Sequence, residues 1–331
     1  MNFADTISVF STYFLGIFIE AVPFLLLGTL TSGLIEAFVS HDDLLRFVPR
    51  HPVLAALFGG GMGFVFPVCE CGVVPVARRL YRKGLPVPVG ITFLLASPIL
   101  NPIVIASTYA AFHERAVQIV YWRVVIALVV AVSIGILFSF QMFPGRLLRD
   151  PGIAAQDYVP LVLAPGALSI TSPLVAAQPL AGTKSNGDTS VRMAFVPGLH
   201  HALTLAAEEF FEMGRYLILG SVLAASMRII VTQNDLEGLA TNPVNSVLVM
   251  QVLAFILSIC STTDAFVALG FANTFTSGSI LGFLTFGPMI DIKSTLMFLG
   301  VFRKRVVVYL IVLPFLMTAL IAIWINLNVR F

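Results

Sequence analysis

The chain has 331 residues, of which 58% are hydrophobic and only 11% are charged. A soluble globular domain carries about 25% charged residues, so the composition excludes an ordinary soluble protein. The formal net charge of +2 gives no indication of nucleic-acid binding. Apolar stretches long enough to cross a bilayer recur along the chain, and they predict a multi-pass membrane protein.

The apolar stretches form two groups of four, separated by a segment of different composition. Residues 144–192 are rich in Pro, Ala, Gly and Ser without a sustained period, which predicts a flexible linker. The sequence therefore predicts an all-α polytopic fold with about eight transmembrane helices, in a first repeat at 1–143 and a second at 193–331. The approximate bounds of the eight stretches are 7–39, 52–80, 86–112, 117–143, 197–231, 244–272, 279–302 and 306–327.

The two halves share residues in the same order, which indicates an internal repeat. Glu20 precedes a Leu-Gly pair at the same spacing as Glu212 does. The run Pro98-Ile-Leu-Asn101 matches Pro288-Met-Ile-Asp291. Repeats whose broken helices meet near the midplane of the bilayer are typical of transporters.

Basic residues predict the orientation only in part. The cluster at 78–83 is expected in the cytoplasm, as is the linker two crossings later. With eight full crossings, the cluster at 303–305 would then lie outside. Either one interrupted segment is re-entrant or this cluster is an exception, and the repeats are either parallel or inverted.

Cysteine and acid residues interrupt two of the apolar stretches. Cys69, Glu70 and Cys71 lie between two prolines, and Cys260 lies in the matching stretch of the second half. An ionisable group or irregular backbone at membrane depth must face protein or a water-filled cavity. We therefore expect the three thiols to meet in one cavity. A cysteine in a membrane helix also serves as a small apolar filler, which is the alternative for Cys260 in particular.

Thiolates are soft ligands and select thiophilic partners. Two or three sulfurs suit trivalent arsenic, antimony or a Cu(I)-like ion, so Cys69, Cys71 and Cys260 are the candidate metal or metalloid ligands. Asn101 and Asp291 each follow a proline by three residues and are candidates for substrate contacts. The predicted substrate-binding residues are Cys69, Glu70, Cys71, Cys260, Pro98, Asn101 and Asp291.

Other acids within the apolar stretches are candidates for proton coupling. Buried carboxylates relay protons in pumps and exchangers. Glu20, Glu212 and Asp264 are the predicted members of this group. The sequence contains no Walker motif, so nothing indicates a nucleotide as the source of energy.

Two blocks carry a resemblance to a known family. Phe66-Pro67-Val68-Cys69-Glu70-Cys71-Gly72-Val73-Val74-Pro75 is followed by Gly90-Ile-Thr-Phe-Leu-Leu-Ala-Ser-Pro98-Ile-Leu-Asn101-Pro102. Together they resemble the predicted-permease family that includes the trivalent organoarsenical efflux permeases. The resemblance implies an eight-span efflux permease of the bacterial inner membrane with cysteines as metalloid ligands.

Three functional hypotheses follow from the sequence. The first is a proton-coupled secondary efflux permease for trivalent arsenicals or antimonite. The second is a membrane thiol oxidoreductase using the Cys-x-Cys pair, and the third is a permease for another solute with structural cysteines. The expected partners are the lipid bilayer and a small soft metalloid or metal, without nucleic acid; no cofactor is predicted, and the sequence does not indicate an oligomeric state.

Overall fold

The computed structural model describes residues 3–39, 48–49, 51–66, 68–141, 148, 195–230, 242–272 and 274–328. The predicted linker lies outside this part of the chain apart from Leu148, which forms an isolated β-bridge with Phe302. The helices in chain order are α1 (Phe3–Phe38), α2 (Pro52–Val65), α3 (Glu70–Arg82), α4 (Val87–Leu100), α5 (Pro102–Phe112), α6 (Ala116–Gln141), α7 (Phe195–Ile230), α8 (Pro243–Leu257), α9 (Asp264–Gly270), α10 (Ser277–Met289), α11 (Ile292–Val301) and α12 (Lys304–Asn328).

The helices follow the same order in both halves. Each half begins with a helix of 36 residues, α1 or α7. The interrupted pair α2–α3 corresponds to α8–α9, the pair α4–α5 corresponds to α10–α11, and α6 corresponds to α12. The all-α polytopic architecture predicted from the sequence is confirmed.

The break in each α4-type segment has a local cause in the sequence. Proline lacks a backbone N–H and disfavours helical geometry in the residue before it, so Pro102 ends α4 at Leu100 and begins α5. The side chain of Asn101 accepts a hydrogen bond from the Ile103 backbone N–H at 2.9 Å. At the matching position Asp291 forms a reciprocal capping box with Ser294, at 2.6 and 2.9 Å.

Helix α2 runs in the same direction as α4, so α2 and α3 fold back on each other. Gly59 packs against Val89 and Gly63 against Ser97, which gives α2 and α4 the same direction. The chain turns sharply between α3 and α4, where the Leu85 N–H donates to the Leu80 carbonyl at 3.0 Å. With 14 and 13 residues, α2 and α3 are each roughly 20 Å long, shorter than the ~30 Å hydrocarbon core. They therefore form a re-entrant hairpin.

The second half repeats this hairpin. Ser246 hydrogen bonds to Ser279 at 2.7 Å and Ala254 packs against Gly287, so α8 and α10 run in the same direction. Helix α9 and residues 271–276 lead back to the start of α10. The pair α8–α9 is thus a second re-entrant hairpin.

The remaining segments cross the bilayer. Five of them, α1, α4–α5, α6, α10–α11 and α12, have the length and apolar composition of a span among the described residues. Helix α7 is ~54 Å long and packs antiparallel to α1, with Gly33 against Ala202 at one end and Tyr13 against Arg228 at the other. The expected eight full crossings are not confirmed; among the described residues, the helix directions indicate six crossings and two re-entrant hairpins. Each half then has three crossings, so the two repeats are inverted.

This topology places the basic clusters on one face. The Tyr81 ring packs edge-on against the Phe302 ring at 6.1 Å, which brings the 78–83 cluster next to the 303–305 cluster. Arg303 also donates to the Leu148 carbonyl at 3.2 Å, in the segment that follows α6. Basic clusters mark the cytoplasmic side, so we call this face inner and the opposite face outer. The apparent exception at 303–305 disappears because α2–α3 and α8–α9 do not cross.

Candidate functional site

The tip of the α2–α3 hairpin holds the Cys-Glu-Cys motif. Cys69 caps α3, and Glu70 and Cys71 form its first turn. All three side chains are buried, and the two thiols interact with each other. The tip reaches this depth because Gly72 packs directly against the backbone of α1 at Gly28, where a side chain on either residue would clash.

A buried lysine lies beside this motif. Lys293, in α11, is only 2% exposed; its Nζ lies 3.6 Å from Glu70 Oε1 and 3.4 Å from Asp291 Oδ2. Among the described residues, Glu70 Oε2 and Asp291 Oδ2 have no hydrogen-bond partner. Two carboxylates and one ammonium therefore lie together in a buried site. One oxygen of each carboxylate has no hydrogen bond among the described residues.

Sequence reasoning missed Lys293, although a signal was present. A lysine inside an apolar run is expensive in a membrane and indicates a functional site by default. Lys293 follows Asp291 by two residues in the run 279–302, which the sequence already marks as membrane-embedded. An acid at Asp291 and a base two residues later, in one apolar run, together indicate a buried ion pair.

The tip of the second hairpin brings Cys260 to the same region. Cys260 is buried, belongs to the same apolar cluster as Cys69 and Cys71, and accepts a hydrogen bond from Thr262 Oγ1 at 3.5 Å. Glu70 and Lys293 both act on it electrostatically. In the described ranges, no group of three or more His, Cys, Asp or Glu side chains has an arrangement that would hold a metal ion. Ligation by three sulfurs therefore stays a prediction.

The two proline-linked polar residues have different surroundings. Pro98 is buried in the last turn of α4, and Asn101, which is also buried, uses its side chain to cap α5. Asp291 caps α11 and also lies next to Lys293. Asp291 therefore lies next to the motif at Glu70. The contacts of Asn101, by contrast, are those of a helix cap.

Asp264 has a structural partner that the sequence did not predict. The Arg123 guanidinium of α6 binds both carboxylate oxygens, at 2.6 and 3.2 Å, and also donates to Thr108 at 2.6 Å. Arg123 and Asp264 are both about 2% exposed. The pair joins the first half of the molecule to the tip of the second hairpin. A role of Asp264 in proton coupling stays a prediction.

Glu212 belongs to a network of ion pairs near the inner face. It pairs with Arg78 at 2.6 Å and is 35% exposed. The network links α1, α3 and α7, and its other contacts are Lys83–Glu36 at 3.5 Å, Arg79–Glu36 at 3.8 Å, Arg79–Glu209 at 3.8 Å and Ser32–Glu209 at 2.5 Å.

Glu20 lies apart from both of these groups. It is half-buried, accepts a hydrogen bond from Thr263 Oγ1 at 3.2 Å and lines a cavity of about 250 Å³. The three candidates for proton coupling thus lie in three different settings. Glu20 lines a cavity, Glu212 is partly exposed, and Asp264 is buried.

A polytopic bundle with inverted repeats, re-entrant hairpins and ionisable groups at their tips has the architecture of a membrane permease. The chain belongs to a family described as predicted permeases, whose model matches residues 6–327. It is 41% identical to the UPF0718 protein YcgR of Bacillus subtilis (strain 168), over 91% of both chains. It is 37% identical to a putative two-component membrane permease complex subunit of Streptococcus mutans serotype c, over 88% of this chain and 86% of the relative. No solved structure matches it.

Proposed function

We propose that this permease exports a soft, thiophilic solute from the bacterial cytoplasm by secondary transport, with trivalent arsenicals and antimonite as the first candidates. The observation that supports the proposal is that buried free thiols lie at the tips of both inverted hairpins, and that Lys293 acts electrostatically on one thiol from each tip. Cys69 and Cys71 come from the first tip and Cys260 from the second. Free thiols select thiophilic solutes over hard ions such as Mg²⁺.

The chemistry of binding is ligand exchange. A hydroxyl group on the trivalent metalloid leaves with the proton of a cysteine thiol as water, and a metalloid–sulfur bond forms in its place. Reversal of this exchange by water releases the solute. The Lys293 ammonium acts electrostatically on Cys71, where its positive charge offsets part of the cost that burial imposes on the thiolate form.

Proton exchange is the proposed source of energy. Glu20, Asp264 and Glu212 are the candidate carriers from the sequence, and the half-buried Glu20 has the clearest access to a cavity. Inward movement of a proton down its gradient would drive the solute outward. The absence of a Walker motif in the sequence supports a gradient over a nucleotide.

One observation favours a permease for another solute, with cysteines that only pack. The three thiols are 1–4% exposed and belong to one apolar cluster. A thiol oxidoreductase has less support, because a bridge between cysteines one residue apart is strained. The following experiment separates these alternatives.

The test is uptake into everted vesicles of arsenite, methylarsenite, antimonite and divalent metals, with and without a proton gradient. We expect uptake of at least one trivalent metalloid to depend on the gradient, and Cys69→Ser and Cys71→Ser to abolish it. Ala77→Ser is the matched control, since it adds a hydroxyl at a buried position of the same helix. Unchanged uptake in both cysteine variants would refute the proposed ligation.

A further inference from the structure

The cavity of about 250 Å³ lies between α1, α7 and the tip of the second hairpin. Tyr13, Gly16 and Glu20 line it from α1, Arg228 from α7 and Ser258 from the hairpin. From Tyr13 to Glu20 it extends ~10 Å along α1. Arg228 is near the outer end of α7, so the cavity occupies the outer half of the molecule.

Two opposite charges face this cavity without meeting. The Arg228 guanidinium lies over the Tyr13 ring at 5.1 Å, and its Nε is buried without a hydrogen-bond partner. Within the described residues, no ion pair joins Arg228 to a carboxylate. In the part of the chain that the structure describes, Glu20 accepts one hydrogen bond, from Thr263 Oγ1. Because the Arg228 guanidinium and the Glu20 carboxylate line the same cavity, they could form an ion pair with each other if the cavity narrowed.

The inverted repeat shows which inner residues correspond to these two. An offset of 192 residues takes Glu20 to Glu212 and takes Glu36 to Arg228. At the inner face, Glu212 pairs with Arg78, and Glu36 lies within ion-pair distance of Lys83. At the inner side, the residues at these positions therefore form ion pairs that close the space between the helices. At the outer side, the corresponding residues line an open cavity.

The outer side lacks the basic helix end that closes the inner side. Helix α3 carries Arg78 and, in its last turn, Arg79 and Arg82, whereas α9 ends at Gly270 and the stretch 264–278 contains no lysine or arginine. Arg228, which stands at the position of Glu36 in the first repeat, supplies the missing positive charge from α7 itself. Closure of the outer side then requires Glu20 and Arg228 to pair directly.

We propose that the cavity is the outer half of the solute path, and that pairing of Glu20 with Arg228 closes it when the inner ion pairs of Arg78 and Lys83 open. Helices α1 and α7 pack antiparallel along their length, so a tilt of one against the other narrows one end while it widens the other. Such rocking between inverted repeats is how one solute site is exposed to each side in turn.

The walls of the cavity define the solute that passes. One carboxylate and one guanidinium give it no net charge, one acceptor side and one donor side. Its volume suits a small molecule rather than a drug-sized ligand. The class that fits is a small uncharged solute with hydroxyl groups. This part of the inference rests on the proposed function; the gate itself requires only that the protein is a permease.

Accessibility of an introduced thiol tests the gate without any solute. Gly16 lines the cavity, and a side-chain atom added there would meet nothing within 4 Å. In right-side-out vesicles, we expect Gly16→Cys to react with a membrane-impermeant maleimide added outside. Gly214→Cys is the matched control, because Gly214 also has open space around it but does not line the cavity.

A second substitution then shifts the balance between the two sides. Adding Arg78→Gln to Gly16→Cys removes an inner ion pair, so the outer side closes more often and labelling slows about fivefold. Adding Arg228→Gln as well removes the outer pair, and labelling returns to its first rate. Glu212→Gln in place of Arg78→Gln must give the same result, which guards against local misfolding at Arg78.

Three outcomes would overturn the gate. These are no labelling from outside, a labelling rate that Arg78→Gln and Glu212→Gln leave unchanged, or a slowed rate that Arg228→Gln does not restore. None of them depends on which solute is transported. Failure of metalloid uptake with intact gating behaviour would therefore refute the proposed substrate and leave the gate standing.

Discussion

The two hairpin tips hold an acid at the same position but in different surroundings. Glu70 is the first residue of α3 and Asp264 the first residue of α9. Asp264 is held by both arms of Arg123, at 2.6 and 3.2 Å. Among the described residues, Glu70 has the Lys293 ammonium at 3.6 Å as its ion-pair partner and keeps Oε2 without a hydrogen bond.

We interpret this difference as two separate roles, with the second tip as an anchor and the first tip as a binding site. A bidentate guanidinium–carboxylate pair fixes orientation as well as charge, so the second tip is anchored to the first half of the molecule. The single Lys293 ammonium does not fix the Glu70 carboxylate in one direction, and the capping Asp291 keeps Oδ2 without a hydrogen bond among the described residues. We therefore propose that the first tip, which also holds two of the three thiols, is the place where a solute or proton binds.

The largest expected effect is loss of the anchor. Arg123→Leu leaves the Asp264 carboxylate buried without its partner, which costs about 3–5 kcal/mol. The measurement is unfolding of the purified protein in mixed detergent, monitored by circular dichroism. The double variant Arg123→Leu/Asp264→Leu should recover most of the stability, because no charge is left unpaired. A single variant as stable as the wild type would show that the pair anchors nothing.

Loss of Lys293 should affect transport more than stability. Lys293→Met removes the positive charge that favours thiolates at the first tip, so we expect uptake of a trivalent metalloid to fall at least about tenfold. The two carboxylates left behind can bind protons, which limits the cost to folding. Lys293→Arg keeps the positive charge, but its planar guanidinium should not fit between Glu70 and Asp291. This variant therefore separates the effect of charge from that of geometry. Uptake at the wild-type rate in Lys293→Met would contradict the account.

The two caps at the α4-type breaks give the smallest effect and sharpen the comparison. Asn101→Ala removes one capping hydrogen bond and should cost about 1 kcal/mol of stability while transport remains. Asp291→Asn keeps a capping side chain but removes the charge next to Lys293, so it should lose transport with little change in stability. Thermal unfolding and vesicle uptake measured on both variants test this crossed pattern. Equal effects of the two substitutions on both measurements would refute the division.

Local signals in the sequence were sufficient for part of this picture. Pro102 and the polar residues at Asn101 and Asp291 predict breaks that the structure contains, because helix interruption depends on nearby residues. The repeat was visible because matched residues keep their spacing. The meeting of Cys69 and Cys260 in one cavity, expected from their depth, stays a prediction, although both belong to the same large apolar cluster.

Other features depend on contacts between distant segments. Residues 52–80 form one apolar stretch long enough to cross the bilayer, and hydropathy cannot show that the chain turns back after Phe66. The direction of α2 is set by the approach of Gly59 and Gly63 to α4. The pairing of Asp264 with Arg123 joins residues 141 positions apart, so no local pattern predicts it.

The central claim is that thiols from both hairpin tips bind one solute, and X-ray absorption at the arsenic edge tests it most directly. On protein loaded with methylarsenite and washed, we predict two or three sulfur neighbours around arsenic. The number should fall by one in Cys69→Ser or Cys71→Ser, and should stay unchanged in Ala77→Ser. Arsenic surrounded by oxygen and carbon alone, or a sulfur count that ignores the cysteine substitutions, would contradict it.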